Sequence, residues 1–208
     1  MADLEKTGKN LEGRGFRVHR FASGAEAAEF LVQTLHGTSI GIGGSVTIDT
    51  LGVYDRLCGS NEVFWHWKNH APETRERAGK AETYLCSANG VSETGEIVNI
   101  LPDGRIVNID GFGNRVAGTI YGPERVFLVV GRNKIAPDLT GAIDRARNIA
   151  APLNARRLNR HTPCAVGEPR CHDCRSPEKI CGVMTVFFMP PTSIKEFHVI
   201  LVDEDLGY

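Results

Sequence analysis

The 208 residues carry 41% hydrophobic and 24% charged side chains, an ordinary globular composition with enough apolar mass for a sizeable core. The formal charge is −1, so no net positive field draws the chain to nucleic acid or acidic lipid, and nucleic acid is not expected as a partner. The longest apolar runs are about five residues, as in VFLVV, against the roughly 20 of a membrane span.

The start, MADLEKTGKNLEGRG, lacks the apolar stretch of a signal peptide, and the expectation is a cytoplasmic protein with no membrane span. FRVHRF (16–21) reads as the first strand. Ser23 and Glu26 form a capping box before the helix AEAAEFLVQTL, which puts Ala28, Leu31 and Leu35 on one face and stops at Gly37. SIGIGG is a second strand and TIDTLGVYDRL a second helix. VFWHW (63–67) follows as a third strand, PETRERAGKA as a helix with Pro72 in its first turn, and TYLCS as a fourth strand. This alternation predicts an α/β fold: an open, mostly parallel sheet with helices on both faces, in a single domain over 1–208.

A short repeat comes next, Gly-Glu-Ile-Val-Asn-Ile (95–100) and Gly-Arg-Ile-Val-Asn-Ile (104–109), joined by LPDG and read as a hairpin or two short strands. FLVV (127–130) is a buried strand. PDLTGAIDRARNIAAPLNARRL is helical, with Leu139, Ile143, Ala146 and Ile149 on one stripe and an interruption before Pro152. After a loop-like segment at 161–182, VMTVFFM and FHVILVD close the chain as a strand pair.

Four polar loop groups fall at predicted strand ends. Gly41, Gly43, Gly44, Ser45 and Thr47 form a glycine loop feeding a helix, where backbone N–H groups favour an anion. Val46 breaks the dinucleotide fingerprint, and no Gly-Lys-Ser/Thr follows for a phosphate loop. Asn89 lies in SANGVSETGE, Asn114 and Arg115 in DGFGNR, and Asn133 and Lys134 in GRNK. In open α/β sheets such loops converge beyond the carboxyl ends of the strands, and the Lys and Arg donors imply a small anionic substrate. Glu93 and Asp110 are the candidate general bases.

Cys164, Cys171, Cys174 and Cys181 follow a C-x6-C-x2-C-x6-C pattern, the spacing of a metal-binding loop. Tetrahedral zinc and a [4Fe–4S] cluster both accept four sulfurs, and spacing does not choose between them. His161 and His172 flank the ligands. Cys58 and Cys86, alone in apolar segments, read as buried free thiols.

Five segments resemble the LUD-domain family, the lactate utilization proteins: GIGGSVTIDTLGVYDRL, NIDGFGNRVAGTIYGPERVFLVVGRNKI, RARNIAAPLNARRLNRHTPC, CHDCRSPEKIC and HVILVDEDLGY. The resemblance implies the superfold of CoA transferases and ribose-5-phosphate isomerase. It also implies a role in oxidising lactate or a similar organic acid beside iron–sulfur partner subunits, with [4Fe–4S] as the expected cofactor and Zn2+ as the alternative. Ser87-Ala88-Asn89-Gly90 is similar to the S-E-N-G motif of CoA transferases, but Ala88 replaces the nucleophilic glutamate and disfavours CoA transfer by that route. Two other functions stay open: an isomerase or hydrolase on a sugar-phosphate- or CoA-like ligand with structural zinc, and a metal-stapled binding or regulatory subunit without chemistry.

Overall fold

The structure is a computed structural model that describes residues 3–93 and 103–208, so the first copy of the short repeat, at 95–100, lies outside the described residues. Strands β1 (Arg17–Phe21), β2 (Ser39–Ile42), β3 (Glu62–Trp65) and β4 (Thr83–Cys86) alternate with α2 (Gly24–Thr34), α3 (Val46–Leu51), α4 (Tyr54–Cys58) and α5 (Thr74–Lys80). Helix α1 (Leu4–Gly13) precedes them. The chain continues through β5 (Gly90–Ser92), β6 (Ile106–Asp110), α6 (Asn114–Ile120), β7 (Arg125–Gly131) and β8 (Ile135–Ala136). Helix α7 (Leu139–Arg145), a π-helical turn (Ala146–Ala150), α8 (Ala151–Arg157), α9 (Pro163–Val166), β9 (Val183–Phe187) and β10 (Glu196–Val202) complete it.

Six parallel strands build the main sheet in the order β1-β10-β7-β4-β2-β3. Alternation along β7 and β10 buries both faces. Phe127, Val129, Ile200 and Val202 pack with Leu31, Leu35 and Ile48 from α2, its C-terminal end and α3. Val126, Leu128, Val130, Val199 and Leu201 pack on the other side with Leu11 of α1 and with Ile106 and Phe187. Each large side chain withdrawn in this way contributes about 1.5–3 kcal/mol of transfer free energy. The expected α/β sheet covered on both faces is what the chain forms.

A second, four-stranded sheet was not anticipated: β8-β5-β6-β9, with β5–β6 and β6–β9 antiparallel and β5–β8 parallel. It corrects the expected closing strand pair. β9 joins β6 in the small sheet, whereas β10 inserts between β1 and β7 in the large one. Both segments are β-rich, but HVILV is apolar on both faces and suits a central parallel strand.

TIDTLGVYDRL is two helices rather than one, broken at Gly52, which takes φ 62°. The interruption before Pro152 is the π turn. Proline has no N–H for residue 148 and its ring crowds that carbonyl, and the wider turn relieves both effects. The shifted register leaves Ile149 45% exposed, off the stripe predicted for it.

Gly41 lets α5 lie directly on β2, because a Cβ there would stand 2.0 Å from the Ala78 carbonyl oxygen. Backbone cannot give way as a side-chain tip does. Gly41→Ala is expected to lose about 3 kcal/mol of stability, seen as a lower urea midpoint at unchanged slope.

Candidate functional site

Strands β2, β4 and β7 are neighbours, so the loops after their C-terminal ends meet at one rim. There they wall a cavity of about 890 Å³ whose lining includes Gly44, Ser45, Thr47, Ser87, Asn89, Asn114, Arg115 and Lys134. The four loop groups therefore share one space.

Lys134 is buried against this cavity at 3% exposure. Its Nζ donates to Thr47 Oγ1 at 2.6 Å and to Ser87 Oγ at 2.8 Å. Arg115 donates through Nη2 to Asn89 Oδ1 at 3.2 Å and to the Ile109 carbonyl. Arg145, also buried, donates to the carbonyls of Asn133 and Asn89, each at 2.7 Å. Among the described residues, none of these three cations has a carboxylate within 4.0 Å. Positive charge that is buried at Lys134 and Arg145 and half-buried at Arg115, held only by neutral oxygens, calls for an anion.

Burial, with Arg145 and Arg115 adding repulsion, pulls the Lys134 ammonium down to about 7. An unfolded lysine holds its proton up to about 10.5, so between these values the unfolded chain binds more protons and stability rises with pH. Lys134→Met is expected to flatten that rise in urea midpoints measured from pH 7 to 10.

Several predicted site residues have other work. Glu93 is absent from the cavity lining; its Oε1 accepts from the Asp3 amide at 3.1 Å, which corrects its placement as a base. Asp110 lines the cavity, but its Oδ2 accepts from the Arg115 and Val116 amides at 2.9 and 3.2 Å and its Oδ1 from the Gly111 amide. It caps α6 and thereby sets Arg115. Gly41 is spent on α5 packing, and the Gly43 amide donates to the Leu85 carbonyl at 3.2 Å, so neither presents a free amide to an anion. Ser45 Oγ caps the Ile48 amide at 3.2 Å. Asn133 leaves the cavity lining and ties down the C-terminal segment through Leu206 and Gly207. Cys58 is exposed, whereas Cys86 is buried as expected and its thiol is pushed up to about 12 by burial.

Other residues join the cavity without a signal in the sequence. Arg157 stacks 4.6 Å over the Trp67 ring and donates to Tyr208 Oη at 2.8 Å. The Arg75 guanidinium lies 5.3 Å over exposed Phe112 at the lip. Trp67 at a strand end and Arg157 in the last turn of α8 are ordinary surface choices until the fold brings them together.

A second cavity, of about 270 Å³, is lined by Cys164, Cys171, Cys174 and Cys181. Its other walls are mainly Ile109, Ile143, Ala151 and Met184 with Arg147. Arg147 Nη2 lies 3.3 Å and the Asp173 amide 3.4 Å from Cys171 Sγ, both donating, and Thr162 Oγ1 is 3.3 Å from Cys164 Sγ. His172 lines this cavity, while the exposed His161 pairs with Glu178 at 3.4 Å. Among the described residues, no group of three or more His, Cys, Asp or Glu side chains is drawn together to hold a metal ion. Ile109, Ala151 and Lys179 border both cavities.

A family model described as LUD domain matches residues 4–101 and 102–202, nearly the whole chain. The chain belongs to the LUD domain family. A crystal structure of a DUF162 family protein from Deinococcus radiodurans is similar at a TM-score of 0.54 and 14% identity, covering 96% of this chain and 95% of that one. At that identity the likeness speaks for the LUD-family fold. No curated protein matches the chain. No helix among the described residues is long and apolar enough to cross a membrane.

Proposed function

We propose that this LUD-domain protein is a component of a cytoplasmic system that oxidises lactate or a similar small 2-hydroxy acid. It would bind the acid in the basic cavity and carry a [4Fe–4S] cluster on its four cysteines. The observation that carries this reading is the common wall of Ile109, Ala151 and Lys179 between the two cavities. An acid held by Arg115 and Lys134 would occupy the cavity on one side of this wall, with the thiols lining the cavity on the other.

Four cysteines lining one cavity support the cofactor reading. Four thiols and two N–H donors aimed at one sulfur, within apolar walls, are the features that bind and tune an iron–sulfur cluster. When bound, the cluster supplies one-electron transfer; oxidising a hydroxy acid releases two electrons, so iron–sulfur partner subunits belong to the reading.

Among the described residues, Arg115 has no partner at Nε or Nη1, and these orient the carboxylate. Lys134 near neutrality accepts a proton at Nζ. An isomerase would need Glu93 or Asp110 as base, but one lies outside the cavity and the other is engaged with α6.

The test is metal and sulfide analysis of anaerobically purified protein. Brown protein with roughly four iron and four sulfide per chain is expected. Colourless protein with one zinc and no iron would overturn the electron-transfer role and favour a structural centre.

A further inference from the structure

The surroundings of Lys134 engage two of the valences of its amine nitrogen. Thr47 Oγ1 donates its own proton to the Leu206 carbonyl at 3.2 Å, and Ser87 Oγ donates to the Ala88 carbonyl at 3.2 Å. With those protons spent, each hydroxyl can only accept from Nζ, at 2.6 and 2.8 Å. A neutral amine has two N–H groups and one lone pair. In that form both N–H groups are held, and among the described residues the lone pair has no protein partner. The side chain is 3% exposed, borders the cavity of about 890 Å³, and has no carboxylate within 4.0 Å among the described residues. Such a lysine, desolvated and beside other cations, is the setting in which an amine becomes a nucleophile toward carbonyls.

We infer that Lys134 forms an imine with the carbonyl carbon of a 2-oxo acid whose carboxylate is held by Arg115. This rests on the anion-binding reading of the same cavity and adds a covalent step to it. The Nζ lone pair bonds to C2, and the carbonyl π pair moves to oxygen, which takes a proton to give a carbinolamine. The hydroxyl then takes a second proton and leaves as water while nitrogen keeps one hydrogen, giving a protonated imine. Counting the proton that nitrogen releases, the sum is amine, ketone and one proton going to iminium and water, with nothing oxidised or reduced.

Burial beside Arg115 and Arg145 favours the neutral amine, and the two hydroxyls fix where it sits.

The test incubates the full chain with pyruvate and cyanoborohydride and maps modified lysines by peptide mass spectrometry. Acetone serves as a ketone without a carboxylate, and calorimetry follows pyruvate binding without reductant. The expected result is a reduced pyruvyl adduct chiefly on Lys134, little labelling of it by acetone, and its loss in Lys134→Arg. In Arg115→Lys, with Lys134 intact, the same adduct should form more slowly. Pyruvate binding without an adduct on Lys134 would overturn the imine and leave the anion site standing. Labelling of Lys134 by acetone as fast as by pyruvate would overturn its direction by Arg115. Neither binding nor adduct would overturn the anion site, and the imine with it.

Discussion

Replacing Cys174 by serine is expected to cost the protein most of its iron and sulfide when both are measured after anaerobic purification. Cys174 is one of four thiols around the cavity of about 270 Å³, and the segment that carries them has little regular structure. Only the short α9 lies between residue 160 and β9. Few buried apolar residues hold this segment, so much of its order is expected to come from the bound group. The loss of a thiolate removes a direct ligand and should exceed the roughly 10–100-fold affinity loss typical of an outer partner. Arg147→Ala, which deletes the N–H donor 3.3 Å from Cys171 Sγ, is the internal comparison: weaker retention, with the cluster still formed. The β10-centred sheet lies elsewhere in the fold, so far-ultraviolet dichroism should change little in either variant.

The second large effect is expected at Arg115. Arg115→Ala should weaken lactate or pyruvate binding by about 10²-fold, because a charged hydrogen bond to a buried carboxylate is worth roughly 1.5–3 kcal/mol, and 1.4 kcal/mol is tenfold. The fold should survive. Asp110 caps α6 through the backbone amides of Arg115 and Val116, and those bonds do not use the guanidinium. The substitution also removes donors to the Ile109 carbonyl and Asn89 Oδ1, so a loss of about 1 kcal/mol in stability accompanies it. Calorimetry reads the first effect and urea denaturation the second. Unchanged affinity in a folded variant would mean that the acid is bound by other groups.

The main sheet was legible because its strands are apolar and its helices periodic. FLVV and HVILV could only be buried, and the Ser23–Glu26 capping box announced a helix that the structure starts at Gly24, with Ser23 Oγ accepting from the Glu26 amide. What escaped was local structure built on weak apolar signals. Helix α1 buries Thr7, Gly8 and Leu11, and its close approach at Gly8 accommodates the Arg20 side chain, so it shows almost no hydrophobic stripe. The small sheet uses strands as short as Gly90–Ser92 and Ile135–Ala136, too brief for alternation to register.

The site was legible by a similar logic and misread in detail for one reason. Polar residues at strand ends do converge, but sequence cannot distinguish a side chain aimed at a ligand from one completing the fold. Gly41 and Gly43 looked like an anion cradle and instead admit α5 and the Tyr84–Arg115 layer. Asp110 looked like a base and Ser45 like a ligand donor, and both are helix caps. Conversely, Arg145 sits mid-helix and gave no signal, yet it secures the carbonyls of Asn89 and Asn133 and adds charge beside Lys134.

The claim on which the functional account rests is that acid and cysteine centre share a wall. Electron paramagnetic resonance of the anaerobically prepared, reduced protein reads this directly, recorded with and without saturating lactate or pyruvate. A signal whose g-values shift on adding the acid, and stay fixed in Arg115→Ala, is the predicted result. A signal indifferent to an acid that calorimetry shows to be bound would contradict it.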